Sequence, residues 1–214
     1  MSKMSKKQMS NTEFHYLIQY LEQALNWQLW VKSADDLLAA AGELEPSIKT
    51  YWTISKENLE AEQEDVREGR DRRPWKEAGP YLQAIYSMLV AYAIENLYKT
   101  ILILQNKNQY KQDIIRERGL PRELKTQKHN LLDLVNKLKL NINEDEKNIL
   151  LRLSRNSYWQ GRYPVPTKAK DLNSVVVSDG IPHFVAFLSP NDFPKIKSLI
   201  SRIKEHIKDN IQKC

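Results

Sequence analysis

The sequence predicts an all-α protein, and three observations carry that prediction. Glycine is scarce, at 6 of 214 residues, while the good helix formers Lys, Leu, Glu, Gln and Ala are abundant. Residue pairs of the kind that close a tight β-hairpin are few. Near the C-terminus, Ile196, Leu199, Ile200, Ile203, Ile207 and Ile211 recur at three- and four-residue steps with Lys, Glu and Asp between them. That spacing is the apolar stripe of an amphipathic helix, and such a stripe must dock on something. A chain of this length should bury about 70% of the surface that its unfolded form exposes, enough for one good-sized core.

Along the chain, "MSKMSKKQMSNTEF" has the lysines of a signal peptide but no apolar core behind them, so residues 1–12 read as a disordered, solvated arm. Residues 14–41, with Tyr16, Leu17, Tyr20, Leu21, Leu25, Trp27 and Trp30, read as one long helix, followed past Gly42 and Pro46 by a second one through Val66. The charged stretch "REGRDRRPWKEAGP" holds two glycines and two prolines and reads as a loop. It separates an N-terminal helical extension, residues 13–78, from a bundle, residues 79–214. Neither side carries a full core of its own, so the two are expected to form one structural domain.

Gly79 and Pro80 mark the start of the next helix, and residues 81–104 are apolar nearly all the way round (Leu82, Ile85, Leu89, Val90, Ala93, Ile94, Leu97, Ile101, Leu102, Leu104). A helix of that kind belongs in the middle of a bundle. Its best run, "MLVAYAI", is closed off by Glu95, Asn96 and Lys99, far short of the ~20 apolar residues of a bilayer span. No membrane partner is expected. Glu95 can pair with Lys99 one turn on, so Glu95 and Asn96 read as a solvated strip rather than a buried acid.

Downstream, "KHNLLDLVNKLKL" predicts a short helix with Leu131, Leu134, Val135 and Leu138 on one side. In "NEDE", Asn143 followed three residues later by Glu146 is a capping box, which satisfies orphan backbone donors at both positions. A helix should start near Glu144 and run to about Gln160, because Gly161 is a natural stop and Pro164 and Pro166 forbid continuation. "SVVVSDGIPHFVAFL" contains three valines that disfavour helix mildly, and it reads as a loop.

Thirty-three Lys and Arg against 27 Asp and Glu give a formal charge of +6, which permits attraction to nucleic acid or an acidic surface without demanding it. Most of the excess lies in residues 107–128, where seven basic residues face three acidic ones. Runs of this kind usually only keep a protein soluble, so this one reads as a solvated surface rather than a phosphate-binding patch. Cys214 is the one cysteine, which leaves no intramolecular disulfide and points to the cytoplasm. The histidines (His15, His129, His183 and His206) show no pair at metal-ligand spacing, and there is no glycine-rich phosphate loop. Neither a metal nor a cofactor is expected.

"SRNSYWQGRYPVPT" is the stretch that could carry chemistry. At 3.6 residues per turn, Ile149, Leu153, Asn156 and Gln160 share one stripe, in which two amides continue an apolar face. Arg152, Arg155 and Trp159 form the neighbouring stripe, and Trp159 can lie against Arg155. On one reading the amides bond to backbone at a helix end and the arginines cap carbonyls. On the other the helix end opens into a polar cleft, with Arg155, Asn156, Trp159, Gln160, Arg162 and Tyr163 as its ligand-binding residues.

The order of "AYAIENLYKTILI", "KHNLLDLV", an acid-capped helix and "WQGRYPVP" resembles HEPN-domain proteins, helical bundles found in toxin-antitoxin and phage-defence systems. The resemblance covers residues 81–166, with His129 and Leu131 opening one helix and Arg162, Tyr163 and Pro164 closing the next. It implies an up-and-down core of four to five helices, here with the N-terminal helical extension added. Many HEPN proteins are metal-independent ribonucleases that dimerise to bring together two copies of an R-N-x-x-x-H pattern. Arg155 and Asn156 match its first two places, and Gln160 stands where the histidine belongs. An imidazole can exchange a proton near neutral pH, whereas an amide cannot titrate. The resemblance therefore implies a non-catalytic or catalytically degenerate module that binds RNA, a nucleotide or a protein partner. It also implies a homodimer, with a nucleotidyltransferase or antitoxin as a further partner. Two rivals stand beside it: an active ribonuclease in which His129 replaces the missing histidine, and a structural interaction module that touches no nucleic acid.

Overall fold

The structure, a computed structural model, describes residues 10–125, 129–157 and 188–212, together with the backbone of residues 175–178 and 181–184. Helix α1 (Asn11–Ala24) opens on a capping box in which Ser10 Oγ accepts from the Glu13 N–H at 3.2 Å and Glu13 accepts from the Ser10 N–H at 2.8 Å. Helix thus begins inside the stretch 1–12 that reads as a disordered arm.

The first long helix ends much earlier than the sequence suggests. The break falls at Leu25 and Asn26, where Asn26 Oδ1 takes the Gln28 N–H at 3.1 Å and starts helix α2 (Trp27–Arg67). Helix α2 then runs unbroken through both Gly42 and Pro46, the expected breakers. An interior proline removes one backbone hydrogen bond and crowds the carbonyl four residues back, at a cost of ~3 kcal/mol. Here the carbonyl is that of Gly42, a residue without a side chain. Tertiary contacts on both sides hold the helix across the defect: Ala41 and Ile48 are buried, and Glu45 pairs with Lys197 at 2.9 Å.

Residues 68–82 run back along the end of α2 and are pinned there. Asn58 donates to the Lys76 carbonyl at 2.8 Å and accepts from its N–H at 2.9 Å, and Asp65 accepts from the Arg73 backbone N–H at 2.9 Å and from Nε at 3.0 Å. Asn58 and Asp65 are therefore buried although the face of α2 that bears them is polar.

Helix α3 (Gln83–Glu117) is the core of the molecule, in contact with every other helix among the described residues. It kinks at Asn106, whose side chain donates to the Leu102 carbonyl at 3.0 Å. Among the described residues it alone is long and apolar enough by composition to cross a membrane, and 72% of its most apolar window is buried inside the protein. The short helix α4 (Leu131–Leu138) buries Leu131, Leu134, Val135 and Leu138, as its pattern predicts. Helix α5 (Glu144–Arg155) carries the predicted capping box, with Asn143 Oδ1 accepting from the Glu146 N–H at 2.9 Å. Beyond Arg155 the turn widens to a π-turn at Asn156 and Ser157, and the expected end near Gln160 lies outside the described residues.

Residues 175–178 and 181–184 correct the expected loop. Strand β1 (Val175–Ser178) pairs antiparallel with β2 (Ile181–Phe184), Ser178 opposite Ile181. The two residues between the strands in sequence are Asp179 and Gly180, a strong hairpin pair, and β-branched valines favour extended backbone. Helix α6 (Asp192–Ile211) then buries its isoleucine stripe from Ile196 to Ile207, while Ile211 at its end remains exposed.

Contacts fix the directions. As α2 advances from Trp30 to Tyr51, its α3-side partners fall from Lys99 to Tyr81. The ion pairs Arg152–Asp192 and Glu146–Arg202 show the same reversal between α5 and α6, while Tyr86–Phe193 and Gln105–Asn210 show that α6 runs parallel to α3, so α5 opposes both. Helices α2, α3, α5 and α6 therefore alternate in direction, and the described residues make an all-α bundle with one pair of short antiparallel strands.

The α5–α6 contact is held by Arg152, which reaches both oxygens of the Asp192 carboxylate, at 2.6 and 2.8 Å, while the Ser189 N–H donates to Asp192 at 2.6 Å. Burial pushes the Asp192 carboxyl up, but the hydrogen bonds from Arg152 and Ser189 outweigh it and hold the group below its ordinary value of 3.8. Asp192→Ala should cost about 3–5 kcal/mol, because it leaves the Arg152 charge in a mostly buried position without its partner. A depressed carboxylate pKa stabilises the fold above the unfolded value and ceases to do so as pH falls through the folded one. Urea denaturation should therefore show the gap between wild type and Asp192→Ala at pH 7 closing below about pH 4.

Candidate functional site

A charge in the middle of an apolar helix must be met by something, and Glu95 is that charge. It is 5% exposed, and Lys99 beside it is 8% exposed, so of the strip expected to be solvated Glu95 is in fact buried, while Asn96 is half-buried and donates to Ser33 Oγ at 3.1 Å. The i,i+4 pairing itself is present, with Lys99 Nζ on Glu95 Oε1 at 2.5 Å. The same ammonium lies 5.5 Å from the centre of the Trp30 ring on α2, a cation–π contact.

The second oxygen of Glu95 holds His129. Nδ1 stands 2.8 Å from Oε2, across 34 residues of sequence. A carboxylate can only accept, so Nδ1 carries the proton in this contact, and proton exchange with anything outside falls to Nε2. The ring is 29% exposed and packs edge-on against Tyr92 at 4.9 Å. The backbone of His129 is left-handed, at φ 49°. For a residue with a side chain that conformation costs roughly 1–3 kcal/mol and survives only where the surroundings over-determine it. Here the surroundings are Glu95, Tyr92 and the start of α4, where the Asn130 side chain caps the Leu132 N–H at 3.2 Å.

The end of α5 reaches the same place. Ser154 Oγ accepts from the Leu131 N–H at 3.0 Å, supplying from another helix the partner that a first-turn amide lacks, and donates to the Leu150 carbonyl at 2.7 Å. Tyr92 Oη approaches the Ser157 carbonyl at 3.5 Å, while Ser157 Oγ donates to the Ser154 carbonyl at 2.8 Å. Tyr92 thus ties the His129 ring, and Ser154 the start of α4, to the end of α5.

The candidate residues named from sequence divide accordingly. Asn156 is fully buried and donates to the Arg152 carbonyl at 3.2 Å, which is the helix-end role. Arg152 belongs to the Asp192 pair. Arg155 is half-buried, and its Nη1 is buried without a hydrogen-bond partner among the described residues. Trp159, Gln160, Arg162 and Tyr163 lie outside the described residues. Among the described residues no group of three His, Cys, Asp or Glu is arranged to hold a metal ion. Sequence reasoning missed Lys99, Tyr92 and Ser154 as members of the cluster. For Lys99 the signal was present, since a Glu–Lys pair inside a helix apolar on nearly all sides has no solvated face to occupy.

What fold and site define together is a class: an up-and-down helical bundle in which one buried carboxylate holds a lysine and a histidine beside a widened helix end. No family model, no curated protein and no solved structure matches the chain.

Glu95→Ala should destabilise the fold by about 3–5 kcal/mol, because it strands the buried Lys99 ammonium. Replacing both partners, Glu95→Leu with Lys99→Met, should recover most of that loss, since two apolar groups of similar size need no charge partner. Chemical denaturation followed by circular dichroism measures both, and a loss below about 1 kcal/mol for Glu95→Ala would contradict the burial argument.

Proposed function

We propose that the protein is a HEPN-like, cytoplasmic module that binds a phosphate-bearing ligand, RNA or a nucleotide, without cleaving it, in a bacterial defence or toxin-antitoxin system. The single observation that supports ligand binding is Arg155, whose Nη1 is buried with no hydrogen-bond partner among the described residues. An unmet buried donor costs about 1–3 kcal/mol, and a phosphate can take two donors of one guanidinium at once. The absence of cleavage follows from Gln160, which cannot shuttle a proton where the family pattern has histidine. By the same resemblance the module works as a homodimer, with a nucleotidyltransferase or antitoxin as its partner.

A second reading, the active ribonuclease, has one observation in its favour. His129 is oriented by the Glu95 carboxylate at 2.8 Å and tied through Tyr92 to the end of α5. A carboxylate-held imidazole is the arrangement of a general acid/base, so His129 could take over the part that Gln160 cannot play.

Arg155→Ala should weaken binding of a short RNA or of ATP by roughly 1–3 kcal/mol while the melting temperature stays close to wild type, as read by fluorescence anisotropy and thermal melts. A change in stability alone, with affinity untouched, would reduce the stretch to a helix end. RNA incubated with the unmodified protein in chelator should remain intact on a denaturing gel, and Gln160→His is the variant expected to gain cleavage. Cleavage by the unmodified protein that disappears in His129→Ala would establish the second reading instead.

A further inference from the structure

The basic run after the α3 kink reads in sequence as solvated surface, and the fold sets two of its exposed residues at a groove. Lys107 and Lys111, one helical turn apart, line a groove of about 470 Å³ where α3 meets the end of α1 and the start of α2. Trp27, the first residue of α2 and half-buried against the core, lines it together with the amides Asn26, Gln28 and Asn108.

The charge balance of the groove is what makes it selective. Arg116, further along the same helix, is neutralised by Asp113 at 2.6 Å and Glu117 at 3.0 Å. Neither Lys107 nor Lys111 makes an ion pair among the described residues, although Glu22 lines the same groove. Two ammonium groups therefore face one carboxylate that does not engage them. The start of α2 adds little of its own, since the Asn26 side chain already occupies the Gln28 N–H at 3.1 Å. What remains is a positive edge beside an indole ring. That is the combination that holds single-stranded nucleic acid, with phosphates on lysines and a base stacked on an aromatic side chain, and the volume is within the range that holds a nucleotide.

We propose that the α1–α2–α3 groove binds single-stranded nucleic acid, with Lys107 and Lys111 on consecutive phosphates and Trp27 stacking a base. A protein partner with an acidic segment would satisfy the lysines but not the ring, and the nucleic acid is the occupant that uses both. The groove is built from residues outside the α5 end, so the proposal does not rest on Arg155 or on the family resemblance.

The test is anisotropy of a labelled oligouridylate titrated with the full chain over about 50 to 200 mM salt. The double variant Lys107→Gln, Lys111→Gln changes two exposed side chains and should leave the thermal melt unchanged. It should lower affinity at least about tenfold at low salt and reduce the slope of log K against log salt by about 1.4, two contacts at 0.7 each. Trp27→Ala should lose roughly tenfold, and Trp27→Phe, which keeps a ring to stack on and to fill the wall, should recover most of it. The proposal is overturned if the wild type does not bind the oligouridylate, if the lysine variant binds it as tightly with the same salt slope, or if polyglutamate competes as well as the RNA does. Binding lost in Arg155→Ala but retained in the lysine variant would move the RNA to the α5 end and likewise overturn the groove.

Discussion

A helix that is apolar on nearly every side can be buried only if other elements enclose it, and helix α3 is in contact with all five of the other helices among the described residues. The rest of the structure follows from that enclosure. The stripe on α6, the four apolar positions of α4 and the Ile149–Leu153 face of α5 each dock on one side of it. Glu95 sits inside the same helix, where a lone carboxylate would be unsupportable. Lys99 answers one of its oxygens and His129 the other, so the packing of α3 dictates both the buried pair and the place where α4 begins.

The polar cluster is in this sense a consequence of the core. His129 takes up a left-handed backbone because its ring must reach Glu95 while Leu131, two residues on, must enter the apolar interior. Ser154 joins in because the first turn of α4 abuts the last turn of α5 and its amide needs an acceptor. A carboxylate-held histidine beside the end of α5 thus arises from satisfying buried groups one after another, and the same arrangement is what chemistry or ligand binding would use.

The N-terminal helices change in meaning once folded. Helix α2 lies along α3 over much of its length, and its Trp30 covers the Lys99 ammonium, so the segment that reads as an extension takes part in stabilising the buried acid. Helix α1 contributes much less to the core: it buries Ala24 and leaves Phe14, Tyr16 and Tyr20 exposed. Its end and the start of α2 leave a groove against the basic part of α3.

What the sequence by itself determined is local. The all-α class, the capping box at Asn143 and Glu146, the stripe from Ile196 to Ile207 and the central position of residues 81–104 follow from periodicity and from side chains that bond to their own helix ends. Such signals need only neighbours a few residues away. Tertiary structure decided the matters that depend on partners far along the chain. Pro46 does not break α2 because packing on α3 and α6 outweighs the lost hydrogen bond, a comparison that no local propensity contains. Glu95 is buried because α3 is enclosed by its neighbours, and the partner of its second oxygen, His129 from 34 residues away, is one that the i,i+4 spacing of Lys99 does not reveal. The paired strands at residues 175–178 and 181–184 passed for a loop because three valines weigh little against a helical background, although Asp179 and Gly180 between them in sequence are a local hairpin signal.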